Sequence, residues 1–255
     1  MSSNPNLAEL IAEAAEKIKL ARHLVAFTGA GISVESGIPS FRGEDGLWSR
    51  YNPKTLEIDY FIQHPEICWP VVKEIFYTHF NKALPNAAHQ FLARLEGVGM
   101  LKATITQNID SLHQQAGNRI VHCFHGNSAR LTCLKCGNYY PASNDILAQV
   151  IPHCTHCGGL LKPDFIFFGE AIPDDAYRAS FDAARQCDVM LVIGTTGEVY
   201  PAALIPQEAK ANGAFIIEIN PLQSHFSHQT TLLQLPMKAG EAAQAIAARL
   251  KLKID

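Results

Sequence analysis

Four cysteines in the spacing C-x2-C-x17-C-x2-C (Cys133, Cys136, Cys154 and Cys157) constrain this chain more than any other feature. Two thiolate pairs, each on a short turn, make the closed sulfur shell that structural zinc prefers, and the separation lies in the range of tetrahedral zinc sites. The alternatives are four incidental buried thiols or two disulfides. His153 and His156 interleave the second pair, but a full cysteine set makes them bystanders. The other cysteines, Cys68, Cys123 and Cys187, are scattered, which suits a reducing compartment. With 255 residues the chain buries enough surface to hold a core without staples. The metal is therefore expected to be local scaffolding, in one large domain or one domain with a smaller insertion.

Charge and hydropathy remove several function classes. A formal net charge of −3 provides no general basic field for nucleic acid or anionic membrane. The first residues, MSSNPNLAELIAEAAEKIK, carry acidic groups where a secretion signal needs an apolar stretch. No apolar run approaches the roughly 18 residues of a membrane span. The expectation is a soluble cytoplasmic protein.

Leu7, Leu10, Ile11, Ala14, Ile18 and Ala21 recur at helical spacing, with Asn6 and Glu9 placed as a capping pair. Further helices are predicted within 65–80, over 86–96 with Gly97 as the stop, and over 174–185, 201–212 and 241–250. Short apolar runs at 24–27, 103–106, 120–124, 164–168, 189–193 and 215–219 read as strands. Strands alternating with helices imply an α/β fold, a doubly wound parallel sheet, and the cysteine segment at 130–159 reads as an inserted module. Polar and glycine residues follow the strands: Thr-Gly-Ala-Gly after Phe27, Thr-Gln-Asn-Ile-Asp after Ile105, Gly-Thr-Thr after Ile193 and Asn-Pro after Ile219. Open α/β sheets bind ligands at such strand ends, so four loops on one edge predict a single site.

Gly29-Ala30-Gly31, with Gly37 further on, lets backbone N–H groups approach a phosphate at a helix start. The third glycine comes too late for the GxGxxG fingerprint, and no acid-tipped strand follows about 20 residues on, which disfavours a dehydrogenase. A tight turn without ligand is the alternative. Gln107-Asn108-Ile109-Asp110 places two amides and a carboxylate after a strand, suited to a carboxamide and a ribose, or else to capping a helix. His125 follows a short strand, and its imidazole titrates near working pH, as a general base must. His89, His113 and His122 compete for that role, and spacing does not choose among them.

Together, TGAGISVESGIPSFRG (Thr28–Gly43), TQNIDSLH (Thr106–His113), HGN (His125–Asn127), the four cysteines, KPDFIFFGE (Lys162–Glu170), GTTGEVYPAA (Gly194–Ala203) and EIN (Glu218–Asn220) resemble the sirtuins, NAD-dependent protein lysine deacylases, from about residue 7 to the C-terminus. The resemblance implies a Rossmann-like NAD-binding domain (1–39, 85–128 and 160–255) and a small domain of helical insertion and zinc ribbon (40–84 and 129–159). NAD and an acyl-lysine protein or peptide would enter the cleft between them. Gly29, Ala30, Gly31 and Arg42 would contact the diphosphate side, Phe41 would shield the nicotinamide end, and Gln107, Asn108 and Asp110 would line the ribose and carboxamide pocket. Gly194, Thr195, Thr196 and Asn220 would hold the adenosine half, with Met237, Lys238 and Ala239 near adenine. Ile166 and Phe168 would wall the acyl-lysine tunnel, and Gly169 and Glu170 would lie on the strand edge that pairs with the substrate backbone.

By the same resemblance the acyl oxygen attacks the anomeric carbon as nicotinamide leaves. His125, the catalytic match together with Asn108, then deprotonates a ribose hydroxyl that attacks the imidate. Nicotinamide, free lysine and O-acyl-ADP-ribose result, while Zn2+ stays structural. Ser40 stands where many relatives carry Asp, Cys123-Phe124 replaces the usual Glu-Leu before HG, and Gly197 replaces a bulkier apolar residue, which is expected to loosen the adenosine loop. Relatives that prefer succinyl or malonyl groups carry Tyr and Arg three residues apart in the helical insertion. Residues 69–84 have Tyr77 but no Arg, so acetyl and other neutral acyl groups are expected. The competing readings are a mono-ADP-ribosyltransferase or NAD hydrolase using the same site, and a non-catalytic NAD-sensing or docking module. The ribbon has Arg130 and Lys135 but no basic run, so direct nucleic-acid binding is not expected.

Overall fold

The computed structural model of the protein describes residues 6–40, 46–78 and 82–254. Helix α1 (Leu7–Leu20) begins on the predicted capping box: Glu9 N–H donates to the Asn6 side chain at 3.0 Å, and Asn6 N–H donates to the Glu9 carboxylate at 3.0 Å. Strand β1 (Leu24–Thr28) follows, then a 3-10 turn over Ala30–Ser36. Helices α2 (Ile58–Gln63) and α3 (Pro65–Val72) and a π-helical stretch (Lys73–Thr78) make the helical insertion. Next come α4 (Ala87–Gly97), β2 (Leu101–Thr106), α5 (Leu112–Ala116) and β3 (Val121–Cys123). The cysteine module contains β4 (Gly126–Cys133), β5 (Tyr139–Pro141), α6 (Asn144–Leu147) and β6 (Leu161–Phe165). The chain ends with α7 (Asp174–Gln186), β7 (Val189–Ile193), α8 (Leu204–Ala211), β8 (Phe215–Ile219), β9 (Leu233–Leu235) and α9 (Ala239–Leu250).

Six strands form one parallel sheet in the order β3-β2-β1-β7-β8-β9. The chain winds outward from β1 to β3, then returns to the centre at β7. The order therefore reverses between β1 and β7, and open sheets form a ligand crevice at such a reversal, outside the strand carboxyl ends. Both faces of the sheet are covered, which is why its strands read as unbroken apolar runs. Leu24, Ala26, Leu191, Ile193 and Ile217 pack with residues of α1, α4 and α9 on one face. Val25, Phe27, Ile105, Met190, Val192 and Ile216 pack with residues of α7 and α8 on the other. A third core holds Phe61, Trp69, Val72 and Phe76 of the helical insertion against Leu131, Cys133, Cys154, Leu161, Phe165 and Phe167.

Three sequence expectations need correction. Of the run predicted as a strand at 164–168, only Asp164 and Phe165 are strand; they end β6, which begins at Leu161 and pairs antiparallel with β4 in the three-stranded sheet β5-β4-β6. Gly97 is helical and does not stop α4. The turn comes at Gly99, which adopts φ 77° and donates its N–H to the Glu96 carbonyl. Gly197 does not loosen its loop. It sits at φ 75°, and a Cβ there would lie 2.8 Å from the Phe226 ring, which already fills the space a larger side chain would take.

Candidate active site

The site grows from the contact between the loops that follow β1 and β7. Gly29 N–H donates to the Ile193 carbonyl at 3.0 Å, and Gly31 N–H donates to the Gly194 carbonyl at 2.8 Å. A Cβ on Gly194, which has φ 63°, would lie 2.3 Å from Ile32 N, and one on Gly31 would lie 2.7 Å from Gly194 Cα. Glycine is thus required on both sides by the approach of two backbones.

Next to this stitch lies a cavity of about 690 Å³, within the range of small-molecule and cofactor sites. Gly29, Ala30, Gly31, Gln107, Asn108, His125, Ile166, Phe168, Gly169, Glu170, Gly194, Thr195, Thr196, Asn220, Lys238 and Ala239 all line it. Residues from seven separate chain segments, singled out one by one in the sequence, therefore share one cavity. Phe41 and Arg42 lie outside the described residues. Glu35, Leu56, Phe76, Tyr200 and Leu222 also line the cavity and were not anticipated. Glu35 accepts the Gly240 N–H at 2.6 Å, tying the glycine turn to the start of α9.

The amides are oriented by the scaffold. Gln107 Nε2 donates to Thr195 Oγ1 at 3.0 Å, Asn220 Nδ2 to the Thr195 carbonyl at 3.1 Å, and Asn108 Nδ2 to the Gly29 carbonyl and Ser33 Oγ, both at 3.1 Å. Asp110 is not among the residues that line the cavity. Its carboxylate accepts the Ser33 hydroxyl at 2.7 Å and the Leu112 N–H at 2.9 Å, and it steadies Asn108 through Ser33. Burial pushes its pKa up, against the pull of those hydrogen bonds.

His125 is the histidine that reaches the cavity. Its Nδ1 lies 3.1 Å from the Gln107 carbonyl, which only accepts, so Nδ1 carries the proton and Nε2 keeps its lone pair. Burial lowers the His125 pKa below 6.5, and the Gln107 bond opposes this in part. The imidazole is therefore neutral at pH 7 with its basic nitrogen unblocked, the state a general base requires.

His89 and His113 are buried behind the wall. His89 Nδ1 accepts the Asn86 N–H, His113 Nε2 lies 2.9 Å from Thr28 Oγ1, and their rings meet edge-on at 4.9 Å. Desolvation lowers their pKa values to about 4 and about 3, respectively, and the neighbouring His89 lowers that of His113 further. Unfolded histidines titrate near 6.5, so below that pH the unfolded chain binds protons that the folded chain refuses. Stability is then fully present above pH 6.5 and is lost as pH falls toward 4 and 3. By pH 5 the pair should cost on the order of 4 kcal/mol, or roughly 10 °C in melting temperature. Melting curves from pH 7 to 5 should show this fall, and His113→Gln should flatten it. An unchanged wild-type midpoint would refute the assignment.

The apolar part of the cavity is walled by Leu56, Phe76, Ile109, Phe165, Ile166, Phe167 and Phe168. Phe165 stacks on Phe167 at 5.1 Å, and Phe76 meets Phe165 edge-on at 4.7 Å. Tyr77 does not join this wall. It lines a separate recess with Lys73 and Asn144, and its buried hydroxyl has no partner among the described residues.

The four predicted cysteines converge. One ligand atom from each lies within 4.8 Å of the others, with Cys133 Sγ 3.5 Å from Cys157 Sγ and Cys136 Sγ 3.6 Å from Cys154 Sγ. Tetrahedral Zn–S bonds of about 2.3 Å put sulfurs about 3.75 Å apart, so the residues fit zinc. Among the described residues, no helix is long and apolar enough to cross a membrane.

Comparison with known proteins agrees with this geometry. The model of the Sir2 family matches residues 29–201. An NAD-dependent protein deacylase 2 of Pyrobaculum aerophilum is 46% identical, over 84% of this chain and 83% of its own length. An NAD-dependent protein deacylase of Aeropyrum pernix is 42% identical, over 96% of this chain and 100% of its own. Among solved structures, a Sir2 protein with a deacetylated p53 peptide and 3′-O-acetyl-ADP-ribose superposes with a TM-score of 0.91 at 34% identity, covering 95% of this chain and 99% of that one. Sir2Tm bound to a propionylated peptide gives a TM-score of 0.88 at 33% identity, covering 95% and 99%. With the family match running from the first glycine loop to beyond the second, and relatives aligned along most of the chain, the protein belongs to the Sir2 family.

Proposed function

We infer that the protein is an NAD-dependent protein lysine deacylase that removes acetyl and other neutral acyl groups. Its products are nicotinamide, free lysine and O-acyl-ADP-ribose. The observation that carries this reading is the unblocked Nε2 of a neutral His125 in the same cavity as a glycine-lined polar end and an aromatic-walled apolar part. NAD, when bound, supplies a ribose carbon that loses nicotinamide to the acyl oxygen and a ribose hydroxyl that then takes the acyl group.

The protein's own part is binding, orientation and one proton. Gly29–Gly31 and Gly194–Thr196 let the backbone lie close to a diphosphate, and Gln107, Asn108 and Asn220 present amides already fixed by the scaffold. His125 Nε2 accepts the hydroxyl proton, while the Gln107 carbonyl holds Nδ1–H and stabilises the imidazolium that forms. Gly169, with neither backbone group bonded among the described residues, offers the edge for a substrate backbone. Division of labour follows the cores: the sheet body for NAD, and the insertion and ribbon for the peptide side.

The wall supports neutral acyl groups. Phe76 lines the cavity where the insertion reaches it, Tyr77 turns away, and the described lining offers Lys238 but no guanidinium. The apolar wall itself carries no charged side chain, so an acidic acyl group packed against it would be desolvated without a partner there. Purified protein should release nicotinamide from NAD only when an acetyl-lysine peptide is present, with O-acetyl-ADP-ribose seen by mass spectrometry. A succinyl-lysine peptide should turn over far more slowly. Nicotinamide release without peptide would replace this reading with NAD hydrolysis or ADP-ribosyl transfer.

A further inference from the structure

Lys162 is 5% exposed, although lysine is almost never this buried unless its ammonium is fully partnered. All three donors of its Nζ are used within nine residues of chain. The Pro163 and Phe165 carbonyls accept at 2.7 Å each, and Glu170 Oε2 lies at 3.0 Å. The same ammonium sits 4.6 Å from the centre of the Phe167 ring. Glu170 Oε2 also accepts the Phe167 N–H at 2.7 Å. The segment that walls the apolar cavity is thus drawn around one ion pair, with Lys162 buried and Glu170 half-buried.

Two backbone contacts carry that arrangement outward. Ile166 N–H donates to the His125 carbonyl at 2.9 Å. Phe168 N–H donates to the Leu56 carbonyl at 2.8 Å, and Ile58 N–H donates to the Phe168 carbonyl at 3.0 Å. Alternate residues of the wall therefore grip the base on one side and the helical insertion on the other. Glu170, whose carboxylate turns inward, is committed to this grip.

We propose that Lys162 and Glu170 form a positioning clamp that sets the acyl-lysine wall and the backbone of His125 as one unit. The proposal rests on the deacylase reading above. A wall held by one ion pair keeps the acyl group and the base in fixed relation, and small misplacements of such groups are costly in rate. The clamp touches neither the glycine stitch nor Asn220, so NAD binding does not depend on it.

The test is steady-state kinetics on the full chain with NAD and an acetyl-lysine peptide. Lys162→Met leaves the half-buried Glu170 carboxylate with the Phe167 amide and without its cation. It should raise the peptide KM and lower kcat by about tenfold or more each, with the NAD KM near wild type. It should also move the acid limb of kcat/KM upward toward pH 6.5, because a loosened wall admits water to His125. Lys162→Arg, which keeps charge and donors, should restore most of both. Glu170→Gln keeps an acceptor for Phe167 N–H and should show a milder form of the same split, which secures the test should Lys162→Met fail to fold. Equal changes in both KM values with an unmoved acid limb would mark the pair as general scaffolding and overturn the proposal. So would wild-type kinetics in a folded Lys162→Met. Absence of peptide turnover in the wild-type control would instead defeat the deacylase reading.

Discussion

Replacing His125 with alanine is expected to reduce deacylation by roughly a hundred- to ten-thousand-fold, the usual contribution of a positioned general base. NAD affinity should stay close to wild type. The split follows from where the imidazole is held. Its backbone N–H and carbonyl, and its Nδ1, belong to the β3–β4 connection and to Gln107, while the glycine stitch between the β1 and β7 loops forms without it. Removing the ring therefore deletes a proton acceptor and leaves the dinucleotide cradle intact. The pH dependence carries the same signature. Because burial holds the His125 pKa below 6.5, wild-type kcat/KM should remain high below that pH and fall only as the ring protonates. A His125→Ala variant with wild-type turnover would remove the base assignment. One that also lost NAD binding would show that the histidine organises the cradle after all.

Much of this arrangement could be read from the chain, because strands buried on both faces are written as apolar runs and ligand loops follow their carboxyl ends. Leu24–Thr28 and Val189–Ile193 announce themselves in this way, and the glycines after them mark the switch point. The cysteine spacing was equally legible, since a metal shell imposes a local rule on residue type. Other features were opaque for physical reasons. An apolar aromatic run such as 161–168 has the same appearance whichever sheet it joins, and only the pairing of its strand with β4, from Cys133–Leu161 to Gly126–Phe165, assigns it to the ribbon. Asp110 is a carboxylate whether it meets a ribose or caps a helix, and its bond to Ser33, far away in sequence, forms only on folding. Gly197 is matched by Phe226, nearly thirty residues on, and no local pattern reports that fit. Glu35 and Lys162 carried no signal of their own, because their partners, Gly240 and a turn of backbone carbonyls, exist only after folding.

Removal of zinc should abolish peptide turnover while sparing most NAD binding, although the cysteines lie outside the cavity. The reason is the continuity of β4 and β6. Cys133 pairs with Leu161 at one end of this ladder, and Gly126, the residue after His125, pairs with Phe165 at the other. A Cβ on Gly126 would lie 2.3 Å from the Asp164 carbonyl oxygen, so the two strands are in direct contact beside the base. Without metal, four thiol groups within 4.8 Å have no cation to hold them together. The knuckles at Cys133–Gly137 and Cys154–Gly158 then have nothing to close on, and the ladder frays from the cysteine end toward the acyl wall. Cys133→Ala, or prolonged chelation, should therefore lower the melting temperature and yield protein without bound metal. Such protein should bind NAD but not process an acetyl-lysine peptide, and zinc should restore the chelated wild type but not the variant. The sheet core around β1 and β7 packs separately and should persist in far-ultraviolet circular dichroism. A zinc-free protein with unchanged melting and turnover would show that the ribbon holds its shape through side-chain packing alone.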